Sequence, residues 1–218
     1  MYDSPWLKFL NATFSWGSNL VLDNMSLTIE SSYRKVWVTG PSGSGKSTLL
    51  RIVAGHYQLD NGKCKFLNHN VDGPSSDRSI LLQNYKLFPW LTLEENISIG
   101  LKFKGVDSST TKEKVDNYLH KSNLFAFKDL FPHQLSGGMQ QRCALLRNLA
   151  ISPSCLLLDE PFSALDEENT KLMLNLIDEY LEQEIAFALI VSHTLRYSSF
   201  DDELIINLSG DNGKIIII

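Results

Sequence analysis

The sequence predicts an α/β fold, and three observations carry that prediction. Val36-Trp37-Val38-Thr39, short and β-branched, leads into a glycine-rich loop and then into residues 49–55, whose apolar positions fill a helical face. Two more apolar runs, Cys155-Leu156-Leu157-Leu158 and Ala188-Leu189-Ile190-Val191, flank a stretch with helical period, so buried strands alternate with helices. Residues 92–131 have helical texture and few β-branched clusters, which predicts a helical subdomain, at about residues 90–134, inserted into a single domain spanning residues 1–218.

Taken in order, residues 7–14 and 25–29 read as strands around a turn at Trp16-Gly17-Ser18-Asn19, an antiparallel β subdomain at the N-terminus. Gly55 stops the first helix, Asp60-Asn61-Gly62-Lys63 reads as a turn, and Lys65-Phe66-Leu67 as a short strand. Residues 71–78 are loop-like, and Ser79-Ile80-Leu81-Leu82 makes a strand ending at Gln83. Phe88-Pro89-Trp90 breaks the chain; Thr92 with Glu95 three residues later is a capping box, and residues 110–123 form a polar amphipathic helix with a solvated face. Ser136 caps a helix through Cys143, Leu146 and Ala150, and residues 166–183 are helical with Leu172, Leu176 and Tyr180 on one face. Residues 204–208, the turn Asp211-Asn212-Gly213 and residues 215–218 read as a hairpin closing a sheet.

At 218 residues and 43% hydrophobic composition the chain can bury a sizeable core. Its formal net charge of -5 and lack of a long basic run argue against nucleic acid as a partner. Cys64, Cys143 and Cys155 are odd in number and widely spaced, as reduced cytosolic thiols are. The N-terminus has no signal-peptide pattern and no run is long enough to span a bilayer, so a cytoplasmic protein is expected, one able to sit against a membrane.

The chemistry concentrates in Gly40-Pro41-Ser42-Gly43-Ser44-Gly45-Lys46-Ser47-Thr48, a full G-x-x-x-x-G-K-[ST] phosphate loop in the required strand–loop–helix context. Its glycines let backbone N–H groups turn toward phosphates, Lys46 meets their charge, Ser47 offers a hydroxyl to Mg²⁺, and the helix N-terminus faces the same anion. Asp159 and Glu160 end an apolar strand, and open α/β sheets place ligands at that edge; Asp159 suits Mg²⁺ held through water, and Glu160 suits a water to be activated. Trp16 reads either as a hairpin aromatic or as a platform for adenine, Gln83 as an edge residue or a metal contact, and His193 as structural or as a γ-phosphate contact. Leu135-Ser136-Gly137-Gly138-Met139 puts two glycines in a first helical turn, at a cost of ~1 kcal/mol each, which a second phosphate at that helix start would offset.

With these motifs in this order the chain resembles the ATP-binding cassette (ABC) ATPases, from about Trp16 to the last strand. The resemblance implies a P-loop NTPase sheet core, ATP with Mg²⁺, Trp16 on adenine, and Ser47 and Gln83 on the metal beside Asp159. It further implies Glu160 as general base, His193 as γ-phosphate sensor, and Leu135 to Met139 as the signature loop contacting ATP held by a second subunit. Ser163-Ala164-Leu165-Asp166 resembles the loop that crosses that interface, so a head-to-tail dimer with two ATP molecules is implied. Residues 88–97 are similar to the importer branch, with texture nearest to the nitrate, sulfonate and taurine uptake group. That implies transmembrane permease subunits, a substrate-binding protein and a place on the inner face of the cell membrane. The alternatives are an export or lipoprotein-release ATPase and a soluble clamp, which the acidic balance and the absence of a long coiled-coil insertion disfavour. Tyr33-Arg34, Thr194 and Tyr197-Ser198 depart from the family pattern, and the cargo belongs to a permease outside this chain.

Overall fold

The computed structural model describes residues 4–84, 86–184, 186–192, 203–208 and 215–217, and the chain divides into two compact units. The first comprises residues 1–80, 155–160 and 186–218; the second, residues 81–154 and 161–185.

The first unit is built on two sheets. β1 (Leu7–Trp16) and β2 (Asn19–Ile29) pair antiparallel from Leu7↔Ile29 to Trp16↔Asn19, so only Gly17 and Ser18 turn the chain. Positive φ at Gly17 suits such a tight hairpin. β2 begins earlier than expected. Asp23 and Asn24 are poor strand formers that hide its first half, and Asn24 sits at φ +47 where the pairing slips.

β4 (Asn61–Phe66) and β5 (His69–Asn70), the latter unforeseen, complete the order β2-β1-β4-β5. The turn expected at Asp60-Asn61-Gly62-Lys63 is therefore strand from Asn61 onward. Gly62 is there for close approach: at φ +84, a Cβ would lie 2.3 Å from the Asn11 carbonyl oxygen, beside an irregularity in β1.

The second sheet runs in the order β10-β9-β3-β8-β7-β6. Its strands are β3 (Lys35–Thr39), β6 (Arg78–Leu81), β7 (Cys155–Asp159), β8 (Phe187–Val191), β9 (Glu203–Leu208) and β10 (Ile215–Ile217). β3 pairs in parallel with both β8 and β9, β7 in parallel with β8, and β9 antiparallel with β10 at the edge. β7 and β8 are buried at every position, as continuous apolar runs in a covered sheet are. The core holds Trp6 stacked on Phe187 (5.5 Å), with Leu49, Leu50 and Val53 of α1 (Lys46–Val53) buried in the same cluster. Parallel pairing puts the carboxyl ends of β3, β7 and β8 side by side.

The second unit is helical. α2 (Leu93–Phe103) starts at the expected capping box: the Glu95 N–H donates to Thr92 Oγ1 (3.2 Å) and the Thr92 N–H to Glu95 Oε2 (2.8 Å). α3 (Ser108–Lys121) starts two residues before the expected 110, because Asp107 rather than a threonine caps it, accepting from the Thr110 N–H at 2.9 Å. α4 (Gly137–Ala150) is capped by Ser136 and α5 (Glu167–Gln183) by Asp166, with Glu167 and Glu168 favourably placed in the first turn. Short 3₁₀ turns at Phe125–Phe127 and Pro132–Gln134 connect α3 to α4. No helix among the described residues is long and apolar enough to cross a membrane.

Candidate functional site

The first unit brings the phosphate loop and the two carboxylates to one edge of the parallel sheet. Gly40, Gly43 and Gly45 all have positive φ (139, 81 and 97). A Cβ on Gly40 would lie 2.2 Å from the Leu208 carbonyl oxygen at the end of β9 and 3.0 Å from Ser44 Oγ, whereas one on Gly43 would meet nothing within 4 Å. Gly40 is thus dictated by close packing and Gly43 by backbone conformation with open space above it. Pro41 accepts the Ser44 N–H through its carbonyl (3.3 Å), closing the loop's first turn, and Ser42 is exposed.

Lys46 is buried in the first turn of α1, its Nζ donating to the carbonyl oxygens of Gly40 and Pro41, both at 2.8 Å. Burial pushes its ammonium below the ordinary lysine value, and the carboxylates of Glu160 and Asp159 oppose that shift, so a cation and two acids share one electrostatic neighbourhood. Ser44 Oγ is buried without a hydrogen-bond partner among the described residues. A buried orphan hydroxyl just before the N-terminus of α1 fits an anion with several acceptor oxygens.

Ser47 and Asp159, 112 positions apart in sequence, meet through a hydrogen bond from Oγ to Oδ1 of 3.1 Å. Asp159 is the last residue of β7 and is 5% exposed. A hydroxyl and a carboxylate oxygen are hard ligands that suit Mg²⁺, which takes one or two protein oxygens and completes its shell with phosphate and water. Glu160 follows at φ +51, a left-handed conformation uncommon for a side chain of its size, held as its N–H donates to the Val191 carbonyl (3.0 Å).

Trp16, at the end of β1, is 48% exposed. Its ring stands edge-on to Phe14 (5.3 Å) and Tyr57 (4.9 Å), and its Nε1 donates to Oγ1 of Thr48 in α1 (3.5 Å). An aromatic set perpendicular to two neighbouring rings and half exposed is able to stack on a base. Tyr57 escaped the sequence reading; it follows the helix stop at Gly55 with no pattern to mark it.

The second unit carries the remaining expected positions. Gln83 is exposed just past β6. Leu135 is buried and anchors the signature loop, Ser136 and Gly137 are exposed, and Gly138 and Met139 are half-buried. The Met139 N–H donates to Ser136 Oγ (3.3 Å). The two glycines have different reasons: a Cβ on Gly137 would meet nothing within 4 Å, whereas one on Gly138 would lie 3.2 Å from the Ala164 carbonyl oxygen. Asp166 is spent locally as the cap of α5, accepting from the Asn169 N–H (2.8 Å) and Asn169 Nδ2 (2.9 Å), bonds that hold its carboxyl below the usual range. Gln141, one turn after the signature glycines, is buried and accepts the Ala164 N–H at 3.1 Å. The sequence shows Gln141 only as part of the importer-like run Met139-Gln140-Gln141-Arg142, with no role of its own, although a spacing of three from Gly138 puts both on one helix face. His193, with Thr194 and Tyr197-Ser198, lies outside the described residues.

Comparison with known proteins agrees with this geometry. The nitrate import ATP-binding protein NrtD of Synechocystis sp. is 36% identical over 199 residues, covering 91% of this chain and 74% of the relative. The taurine import ATP-binding protein TauB of Escherichia coli O157:H7 is 33% identical over 201 residues, covering 92% and 78% respectively. A dimeric ATP-binding cassette in a post-hydrolysis state, bound to ADP and Pi, superposes with a TM-score of 0.84 at 29% identity, over 97% of this chain and 98% of the other. The ABC transporter family model matches residues 22–163, from β2 through the phosphate loop, the signature stretch and the strand bearing Asp159 to the start of the following loop. The chain therefore belongs to the ABC transporter family and is one of its ATP-binding, ATP-hydrolysing cassettes.

Proposed function

We propose that this ATPase energises a membrane importer of a small solute of the nitrate, sulfonate or taurine type, working as a head-to-tail pair of copies that share two ATP molecules. The observation that carries the nucleotide chemistry is the convergence of Lys46, Ser47, Asp159 and Glu160 at one sheet edge, with the Ser47–Asp159 bond at 3.1 Å. In this reading the loop from Gly40 to Thr48 binds the β and γ phosphates, Lys46 balances their charge, and Trp16 receives the adenine. Ser47 and Gln83, with Asp159 close by, hold Mg²⁺, which neutralises charge on the phosphate oxygens when bound. Glu160 accepts a proton as water oxygen attacks the γ phosphorus and the bond to the β–γ bridging oxygen breaks, releasing ADP and phosphate; His193 contacts the γ-phosphate. The exposed Ser136 and Gly137 face ATP of the other copy, and the Ser163-to-Asp166 loop crosses between copies.

The importer assignment rests on the sequence of residues 88–97 and on the names of the two import relatives. A permease, reached through the second unit, would hold the cassette at the inner face of the membrane, and a substrate-binding protein would select the cargo. In the test, Glu160→Gln binds ATP and accumulates as a dimer while turnover falls ~10²–10⁴-fold. Lys46→Ala loses ATP binding, and Gly137→Asp binds ATP but neither dimerises nor hydrolyses it. Normal dimerisation and hydrolysis by Gly137→Asp would sink the shared-site reading. Co-purification with a soluble protein alone, and no permease, would sink the importer.

A further inference from the structure

We infer that Gln141 is a positioning residue that fastens the signature end of α4 to the Ser163-to-Asp166 loop, so that these two segments of the second unit move as one body. The inference rests on the proposed sharing of ATP between copies, since that reading gives both segments a role at the interface.

Three observations within the second unit carry it. The buried Gln141 uses Oε1 to accept the Ala164 N–H at 3.1 Å, and Gln141 itself is only 1% exposed. The backbone of Gly138, one turn earlier, leaves room for the same residue from another side: a Cβ there would lie 3.2 Å from the Ala164 carbonyl oxygen and 3.4 Å from Leu165 Cδ2. Arg142 then reaches away from the loop to donate through Nη1 to the Ser122 carbonyl (2.8 Å), while the Asp166 carboxylate attracts its guanidinium.

The loop is thus bonded at the Ala164 amide, closely approached at the Ala164 carbonyl and attracted by charge at Asp166. Ala164 itself is exposed, so little burial of its own side chain fixes it. A backbone amide bonded to a buried side-chain carbonyl oxygen is a directional restraint, and removing that acceptor leaves the N–H to find water. A loop so restrained keeps the spacing between Ser136 and the Ser163–Asp166 segment constant. A partner copy would then meet both segments in register, and the ordering cost of docking two independent loops would not arise.

The test uses Gln141→Met, which keeps length and volume but removes the oxygen acceptor. Amide exchange is followed in the full chain without nucleotide, and ATP-driven dimerisation is followed in the Glu160→Gln background. The expected result is about tenfold faster exchange at Ala164 in Gln141→Met, the scale of one lost hydrogen bond. Monomer ATP affinity stays unchanged and dimerisation requires more ATP. Gly138→Ala, whose Cβ presses on the same carbonyl from an accessible turn, should loosen Ala164 in the same way, which covers the case of a Gln141 variant that does not fold. Wild-type exchange at Ala164 in Gln141→Met or Gly138→Ala would overturn the inference, as would ATP-driven dimerisation of Gln141→Met at the same ATP concentration as its Glu160→Gln parent. If the Glu160→Gln protein with Gln141 intact never dimerises, the shared-site reading fails, and Ala164 exchange alone decides the clamp.

Discussion

Trp16 brings one question down to a single side chain: whether a ring braced by Phe14, Tyr57 and Thr48 contributes affinity or only packing. Stacking on a base contributes ~1–3 kcal/mol, so Trp16→Ala should weaken ATP binding about tenfold or more, with Trp16→Phe recovering most of it. Every base presents a flat face, so the loss should be the same for GTP as for ATP; a fluorescent-nucleotide titration reads both. An unchanged ATP affinity in Trp16→Ala would return the residue to the hairpin core. The sequence made the phosphate loop and the acidic strand end legible because their chemistry demands particular residues at fixed spacings. It left Tyr57 unmarked and Gln141 without a role because a bracing ring and a buried amide act only through neighbours that folding supplies.

Among the elements, the turn before α2 depends on one side chain. Asn96 is fully buried and its Oδ1 accepts the Phe88 N–H (2.8 Å), while its Nδ2 donates to the carbonyls of Phe88 (3.1 Å), Leu91 (3.0 Å) and Thr92 (2.9 Å). Arg147 of α4 adds a bond to the Lys86 carbonyl (3.1 Å) and lies over the Phe88 ring at 5.5 Å. Asn96→Ala would leave several backbone groups of residues 88–92 unmatched, so urea unfolding should register a loss of ~2–4 kcal/mol. Asn96→Asp, which sets a buried carboxylate oxygen against those three carbonyl oxygens, should lose more than the alanine variant. Equal stability of the alanine variant and the wild type would show that water replaces the amide. Helix starts were legible at this scale because Thr92 and Ser136 advertise their caps. The strand through Gly62 was not, since an Asn-Gly pair has the local chemistry of a turn and becomes strand only once Leu10 and Asn11 lie against it.

For the molecule as a whole, the three thiols make a pH argument. Burial pushes Cys64 and Cys143 up from 9.0 to about 12, with Arg78 and Arg147 respectively opposing, and pushes Cys155 up as well. The unfolded chain releases these protons from about pH 9 while the folded chain retains them, so ionisation favours unfolding. Stability is full below pH 9 and falls toward pH 12, by at most ~1.4 kcal/mol per pH unit for each thiol. Urea midpoints at pH 8 and pH 10 should differ more in the wild type than in Cys155→Ala. Thiol reagents should label all three cysteines only on unfolding, and rapid native labelling would contradict their burial. The α/β class was legible from the alternation of runs, but the neighbours of β3 were not: pairing is set by which strands the core brings together, and local pattern is silent on that. Here both neighbours, β8 and β9, come from the far end of the chain, and the Leu208 carbonyl is what packs on Gly40. On the ribosome, then, the phosphate loop is translated early and finished late. Until residue 191 has emerged β3 has no flanking strand, and until residue 208 has emerged Gly40 has no wall, so the sheet edge that carries the phosphate loop is completed only long after the loop itself is made.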